Sequence, residues 1–172
     1  MGEEDVLGGR LLTAAKHATL AEREPPAMTT PTWEITHTVE TSASPGFAWN
    51  YWTDVTNWAD PPAEFSLEGP FAAGSRGITR LPGHDPLHWI IRDVAAPVSA
   101  TIEMPLAEGA FLLFEWRFDA AVNARTRLTR RIILAGEKAD DFLAQAKASF
   151  STAPADGMKK LAAAMAEAEG RG

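Results

Sequence analysis

Apolar and polar residues alternate without a slip from Trp33 to Thr41. Trp33, Ile35, His37 and Val39 fall on one side, and Glu34, Thr36, Thr38 and Glu40 on the other. A period of two is that of a strand with one buried face. Ser44-Pro45 then opens a helix, since proline is tolerated in a first helical turn, and this helix is expected to run from Pro45 to about Thr53. Asp54 is expected to cap a second, short turn through Trp58, which Pro61-Pro62 ends. Beyond it FSLEG, SRGITRL, PLHWIIRDV, PVSATIEM, AFLLFEWRFDA and ARTRLTRRIIL read as strands divided by the connections FAAG, PGHD, AAP, LAEG and AVN. No crossover helix interrupts them, so with the first strand they make a seven-stranded antiparallel sheet. From Glu137 to Ala168 the apolar positions Phe142, Leu143, Ala146, Phe150, Met158, Leu161 and Met165 recur at helical spacing, with a break expected at Pro154 and Gly157. The fold class is therefore α+β: a curved seven-stranded antiparallel sheet wrapped around a long, kinked C-terminal helix, with two short helices after the first strand.

One helix does not fill a strongly curved sheet, so a hollow between them is geometrically easy. The stretch WNYWTDVTNW places three of the chain's six tryptophans and its only tyrosine where such a hollow would be closed. An indole suits a core or the wall of an apolar pocket equally, having large apolar area and one N–H donor. Trp52, Trp58 and Phe65 are candidates for ligand contact, with Trp52 or Trp58 expected to face the cavity mouth. On AFLLFEWRFDA the aromatic face with Phe114, Trp116 and Phe118 is expected inward, and on PLHWIIRDV the pair Trp89 and Ile91, although Asp93 breaks that strand's pattern. Leu128 and Arg130 share the inward face of ARTRLTRRIIL, and the terminal helix contributes Phe142, Phe150 and Leu161. The same spacing fits plain core, because apolar periodicity identifies burial and not a cavity.

Polar candidates are few. Arg130 alternates with Leu128 and Ile132, so on the concave side it needs a partner, either a ligand carboxylate or enolate oxygen or an internal acid; the plainer alternative is an exposed arginine. His37 alternates with Ile35 and Val39 and is read as a hydrogen-bonded core histidine or, as the weaker alternative, a proton-transfer group. His84, Asp85 and His88 do not make a metal site, because Pro86 prevents helical presentation and no third ligand stands near. The glycines of GPFAAGSRG match neither a phosphate loop nor a dinucleotide fingerprint and are read as hairpin and bulge positions. No metal and no cofactor is expected.

Composition narrows the partners. At 172 residues the chain is one domain's length, and with no cysteine it has neither disulfides nor thiolate chemistry. A net charge of −7 opposes the basic face that nucleic-acid binders need. No apolar run approaches the roughly 20 residues of a membrane span, and the acidic N-terminus lacks the features of a secretory signal. A cytoplasmic protein, monomeric or homodimeric, is the expectation, with a hydrophobic small molecule as partner and neither nucleic-acid binding nor membrane insertion. Pro25-Pro26 marks a boundary: residues 1–27 read as an N-terminal appendage, helical or disordered, with Met28 as the natural start, or else as a helix packed loosely on the domain at 28–172.

The order of these elements carries a resemblance. ASPGFAWNYWTDVTNW, then LEGPFAAGSRG, DVAAP and TRLTRRIILAGEKADDF, resembles the SRPBCC superfamily, the Bet v 1-like or START-like helix-grip fold that includes the polyketide cyclase/dehydrase group. It covers about Trp33 to Ala168. Trp49 and Asp54 match the family's opening helix, which implies a core position for Trp49 and a structural cap at Asp54, and Gly69, Gly74 and Gly77 match its glycine-bearing hairpin. The proline-rich segment from Trp58 to Phe65 is a departure, being shorter than in relatives. The resemblance implies a helix-grip domain that binds a hydrophobic, aromatic or polycyclic molecule in an internal cavity. The alternative it implies is a cyclase- or dehydratase-like enzyme, in which Arg130 and His37 would polarise a carbonyl and move a proton. Because the superfamily includes carriers, receptors and enzymes, the motifs are specific for fold and poor for function.

Overall fold

The computed structural model describes residues 30–58, 62–151 and 153–172. The appendage expected at residues 1–27 lies outside them, as does Pro61. Seven antiparallel strands, β1 (Trp33–Thr41), β2 (Glu64–Leu67), β3 (Arg76–Arg80), β4 (Leu87–Ala95), β5 (Ser99–Ala107), β6 (Ala110–Ala120) and β7 (Thr126–Ala135), form one sheet in the order β1-β7-β6-β5-β4-β3-β2. Strands β2 to β7 follow one another as neighbours, and the chain's first strand closes the sheet beside its last. The helix α1 (Pro45–Thr53) and a 3-10 turn (Val55–Trp58) follow β1, and α2 (Leu143–Phe150) and α3 (Ala153–Gly170) follow β7.

The alternation in β1 is obeyed: Glu34, Thr36, Thr38 and Glu40 are exposed, while Ile35, His37 and Val39 are partly buried on the concave side. Register carries that face across the sheet, since Val39 pairs with Leu128 and Leu128 with Phe118, and His37 pairs with Arg130 and Arg130 with Trp116. On the outer face the arginines of β7 meet acids instead: Arg131 pairs with Glu34 and, at 3.1 Å, with Glu115, and Arg127 with Glu40 at 3.3 Å. Such exposed pairs contribute roughly 1 kcal/mol or less each.

The C-terminal helix breaks earlier than the sequence suggests. The first segment, α2, ends at Phe150 and α3 begins at Ala153, so Pro154 lies in the first turn of α3, where a missing N–H costs nothing. Gly157 continues the helix. Met158, Ala162 and Met165 of α3 are buried with Trp49, Trp52, Ile91, Phe118 and Leu128 in the main core, while Leu106, Leu112, Ile132 and Leu134 form a second cluster under α2. Each fully buried side chain of this size contributes roughly 1.5–3 kcal/mol.

Two hydrogen-bonded ties fix α3 against the start of the sheet. Thr41 Oγ1 donates to the Ala162 carbonyl at 2.7 Å, and Glu169 accepts from the backbone N–H of Ser44 at 2.9 Å and from its hydroxyl. Ser44 is the N-cap of α1 but makes no side-chain capping bond of its own. The Glu169 carboxylate does this work, placing negative charge at the positive end of α1. Asp54 caps the 3-10 turn that follows, as expected, accepting from the Thr56 N–H at 3.1 Å and the Thr56 hydroxyl at 2.6 Å; these bonds lower its pKa. No described helix is long and apolar enough to cross a membrane.

Candidate functional site

A cavity of about 530 Å³ lies between the concave face of the sheet and α3. Strands β2 to β7 supply its floor and side, α3 its roof through Met158, Leu161 and Ala164, and the end of α1 with the 3-10 turn after it the end wall, through Trp52, Asn57 and Trp58. The volume is that of an ordinary small-molecule site, which spans roughly 300–1,000 Å³.

Its aromatic wall is built by two local devices. The first is a glycine. Gly77 on β3 faces Trp89 on β4, and a Cβ at Gly77 would lie 2.1 Å from Trp89 Cζ2, so the indole spreads across β3 only because nothing projects there. Its Nε1 then donates to Thr79 Oγ1 at 3.1 Å. Gly69 and Gly74 have positive φ and serve the hairpin turn, but Gly77 is required for space. Gly77→Ala should therefore cost roughly 1–3 kcal/mol by overpacking and shift the emission of Trp89. A denaturant melt and a fluorescence spectrum check this; a midpoint equal to that of the unchanged protein would mean the ring moves freely.

The second device is the 3-10 turn, which folds Trp58 back so that its Nε1 donates to the Trp52 carbonyl at 2.6 Å. The ring stands 5.6 Å from Trp52, 5.5 Å from Trp89 and 5.8 Å from Phe65. Trp52 in turn touches Trp49, Phe71, Trp116 and Phe118 at centroid distances of 5.1–6.0 Å. Trp52 is thus both core hub and cavity wall, whereas Trp49, packed on Phe71 and Phe118, is core alone.

Charge enters this apolar space from two residues, Arg130 of β7 and Lys160 of α3. Arg130 lies with its guanidinium carbon 5.3 Å from the centre of the Trp116 ring, a cation–π arrangement. Burial lowers its pKa to about 10, which leaves it charged at neutral pH. His37, its cross-strand partner, has a pKa lowered by burial and then by the Arg130 charge, so the imidazole is neutral at pH 7. Its Nδ1 is buried and has no hydrogen-bond partner among the described residues. Among those residues no group of three or more histidines, aspartates or glutamates is placed to hold a metal ion.

Solved structures share this fold. A point mutant of norcoclaurine synthase from Thalictrum flavum, in complex with a transition-state analogue, superposes with a TM-score of 0.64 at 13% identity, covering 84% of this chain and 99% of that one. The chain has the Bet v 1-like helix-grip fold. The same plant enzyme in complex with dopamine and hydroxybenzaldehyde gives a TM-score of 0.61 at 12% identity over 84% of this chain and 94% of that one. The Zhui aromatase/cyclase from Streptomyces sp. R1128 gives 0.55 at 22% identity, over 81% and 94%. No family model and no curated protein matches the sequence. At such identities the likeness establishes the fold and leaves the chemistry to the site.

Within the helix-grip domain the expected wall residues divide into two sets. Trp52, Trp58, Phe65, Trp89, Phe114, Trp116 and Arg130 line the cavity. Ile91, Phe118 and Leu128 point to the same concave face but lie where α1 and α3 close on the sheet, and they are packed into the main core instead. Phe142 and Phe150 belong to the second cluster under α2, with Phe150 edge-on to Phe114 at 5.9 Å, and do not reach the cavity. His37 faces the concave side beside Arg130 without lining the space. The sequence reading passed over Asn57, Thr79, Leu87, Ile102, Met104, Gly157 and Lys160, all of which line it. Ile102 and Met104 carried a signal, the alternation of SATIEM. Gly157 and Lys160 carried none until α3 was placed.

Proposed function

We propose that this protein binds a hydrophobic, aromatic or polycyclic small molecule in the cavity between sheet and α3. The observation that supports it is the wall itself: four indoles and two phenyl rings around about 530 Å³, in a fold whose solved examples include an enzyme in complex with dopamine and hydroxybenzaldehyde. Flat rings suit flat ligands, since offset and edge-on aromatic contacts contribute roughly 0.5–1.5 kcal/mol beyond the area they bury.

The test is a ligand screen read by melting temperature and by indole emission. A ligand at 100 times its dissociation constant adds about 2.7 kcal/mol of stability. Gly157→Leu supplies the control. A Cβ at Gly157 has nothing within 4 Å, so the larger side chain projects into the cavity, and leucine is favoured over glycine in a helix by nearly 1 kcal/mol. That variant should fold at least as stably and bind nothing in the cavity. Binding undiminished by Gly157→Leu would place the ligand elsewhere.

A second reading is a cyclase- or dehydratase-like enzyme. Arg130 and a neutral His37 sit side by side on paired strands, one able to polarise a carbonyl and the other to accept a proton. Cyclisation of a reactive poly-β-ketone that is lost in His37→Asn, with ligand affinity retained, would favour this reading over simple binding.

A further inference from the structure

Two of the cavity's indole N–H groups are already used inside the protein. Trp58 Nε1 donates to the Trp52 carbonyl at 2.6 Å and Trp89 Nε1 to Thr79 Oγ1 at 3.1 Å, so these rings offer a ligand apolar surface and no hydrogen bond. The acceptor of the second bond is the informative group. Thr79 stands in the middle of an apolar row: its register partners are Phe65 on β2 and Leu87 on β4, and all three line the cavity. Valine has the same branched shape and suits a strand as well, whereas a hydroxyl placed there gives up hydration. A threonine hydroxyl has one proton and two lone pairs. The Trp89 N–H occupies a lone pair, and among the described residues no acceptor takes the proton. The same bond fixes the oxygen in place. Gly77 leaves room for the indole to lie across β3, and the indole holds Thr79 Oγ1 at the nitrogen edge of its ring. Ring and hydroxyl thus stand side by side on one wall. A flat ligand held against Trp89 brings atoms bonded directly to its own rings within reach of the hydroxyl, where the proton needs an acceptor.

We propose that the ligand is an aromatic ketone or quinone whose ring-borne carbonyl oxygen accepts a hydrogen bond from the Thr79 hydroxyl, and that Thr79 selects it over a hydrocarbon of the same shape. This rests on the cavity being the binding site, and it adds the polar group the ligand carries and the residue that reads it. The donor is neutral, so the ligand needs no charge. A hydrocarbon leaves the hydroxyl facing apolar surface with its proton unused, which costs affinity.

Fluorenone and fluorene share one tricyclic skeleton and differ by a carbonyl in place of a methylene, so comparing them isolates the oxygen. Equilibrium dialysis gives a dissociation constant for each in the full chain, in Thr79→Val, which keeps the shape and removes the hydroxyl, and in Thr79→Ser, which keeps the hydroxyl. Loss of the Trp89 acceptor in Thr79→Val acts on both compounds, so the ratio of the two constants is the quantity to read. Asn57, Arg130 and Lys160, which also line the cavity, are the same in every protein compared. The ratio should move against fluorenone by roughly threefold to tenfold in Thr79→Val, the value of one neutral hydrogen bond, and return most of the way in Thr79→Ser. The infrared carbonyl stretch of bound fluorenone should lie below its position in an apolar solvent and rise toward that position in Thr79→Val. If both compounds bind and the ratio is the same in Thr79→Val as in the unchanged chain, or if fluorene alone binds, the ketone proposal is overturned and the cavity reading stands. Binding of neither compound overturns both. Should Thr79→Val fail to fold, the infrared measurement on the unchanged chain decides: a lowered stretch supports the proposal, and one at the apolar-solvent position contradicts it.

Discussion

Truncation of Trp52 to alanine should destabilise the protein by about 3–5 kcal/mol, the range for a large aromatic side chain removed from a packed interior. The ring is 2% exposed and touches five other aromatic rings, so its loss opens a hole bounded by groups that cannot all collapse inward. Trp49→Ala should fall in the same range, because Trp49 is 6% exposed and holds α1 to β6 through Phe118 at 5.4 Å. For a chain of this length that is a drop in melting temperature of roughly 10 °C. Trp58→Phe should cost much less, since that residue is only half-buried and a ring is retained, but it loses the bond to the Trp52 carbonyl that sets the end wall. The three variants therefore separate by readout. Trp49→Ala lowers the melting temperature while a ligand still binds the folded fraction. Trp58→Phe keeps the fold and weakens binding, and Trp52→Ala does both. A Trp52→Ala protein that melts within a degree or two of the unchanged chain would remove Trp52 from the centre of this packing.

The elements legible in the sequence were those with one wet face. β1 and β6 show a clean period of two because their outer sides carry Glu34 and Glu40, or Glu115, Arg117 and Asp119, against apolar inner sides. The hairpin glycines marked most strand ends for a backbone reason: Gly69, Gly74, Gly83 and Gly109 all have positive φ. Where both faces are buried the period fails. β4 reads as irregular at Asp93 because a bulge lies between Ile91 and Asp93, so the inward positions run Leu87, Trp89, Ile91 and then Val94. A bulge adds one residue and turns the pattern over, which a strict alternation cannot represent.

The boundary between core and cavity was not legible at all. Phe114, Trp116 and Phe118 are consecutive inward residues of one strand, yet two line the cavity and the third is core. Their difference is set by the position of the turn after α1 and of α3, which begins 35 residues after Phe118 in the sequence. Local spacing records which side of a strand is buried; it holds no record of how far a distant helix stands from that side. Gly77 shows the same limit. It matches a hairpin motif, but its necessity comes from the indole of the neighbouring strand.

The bulge in β4 has an energetic consequence on the outer face of the sheet. Glu103 of β5 faces away from the cavity, between its register partners Ile90 and Leu113, and its side chain is 0% exposed. A carboxylate in such a place needs compensation, and the irregularity at Arg92 brings the guanidinium Nε to 2.8 Å from Glu103 Oε2. The Arg92 side chain is itself only 15% exposed, so the pair is largely withdrawn from water. Arg92→Leu should therefore destabilise the protein by about 3 kcal/mol or more, because the buried carboxylate loses this cation. Glu103→Leu should cost less, since the longer arginine can turn its head toward solvent. The double variant is the decisive one: with both charges gone the site becomes an apolar rung between Ile90 and Leu113, and replacing a buried pair with well-packed apolar side chains is often neutral or stabilising. A double-mutant cycle in urea should then show a coupling of at least about 1 kcal/mol, well above the additivity error of distant sites. If the two losses simply add, Arg92 and Glu103 act independently, and the burial of Glu103 depends on contacts other than this guanidinium.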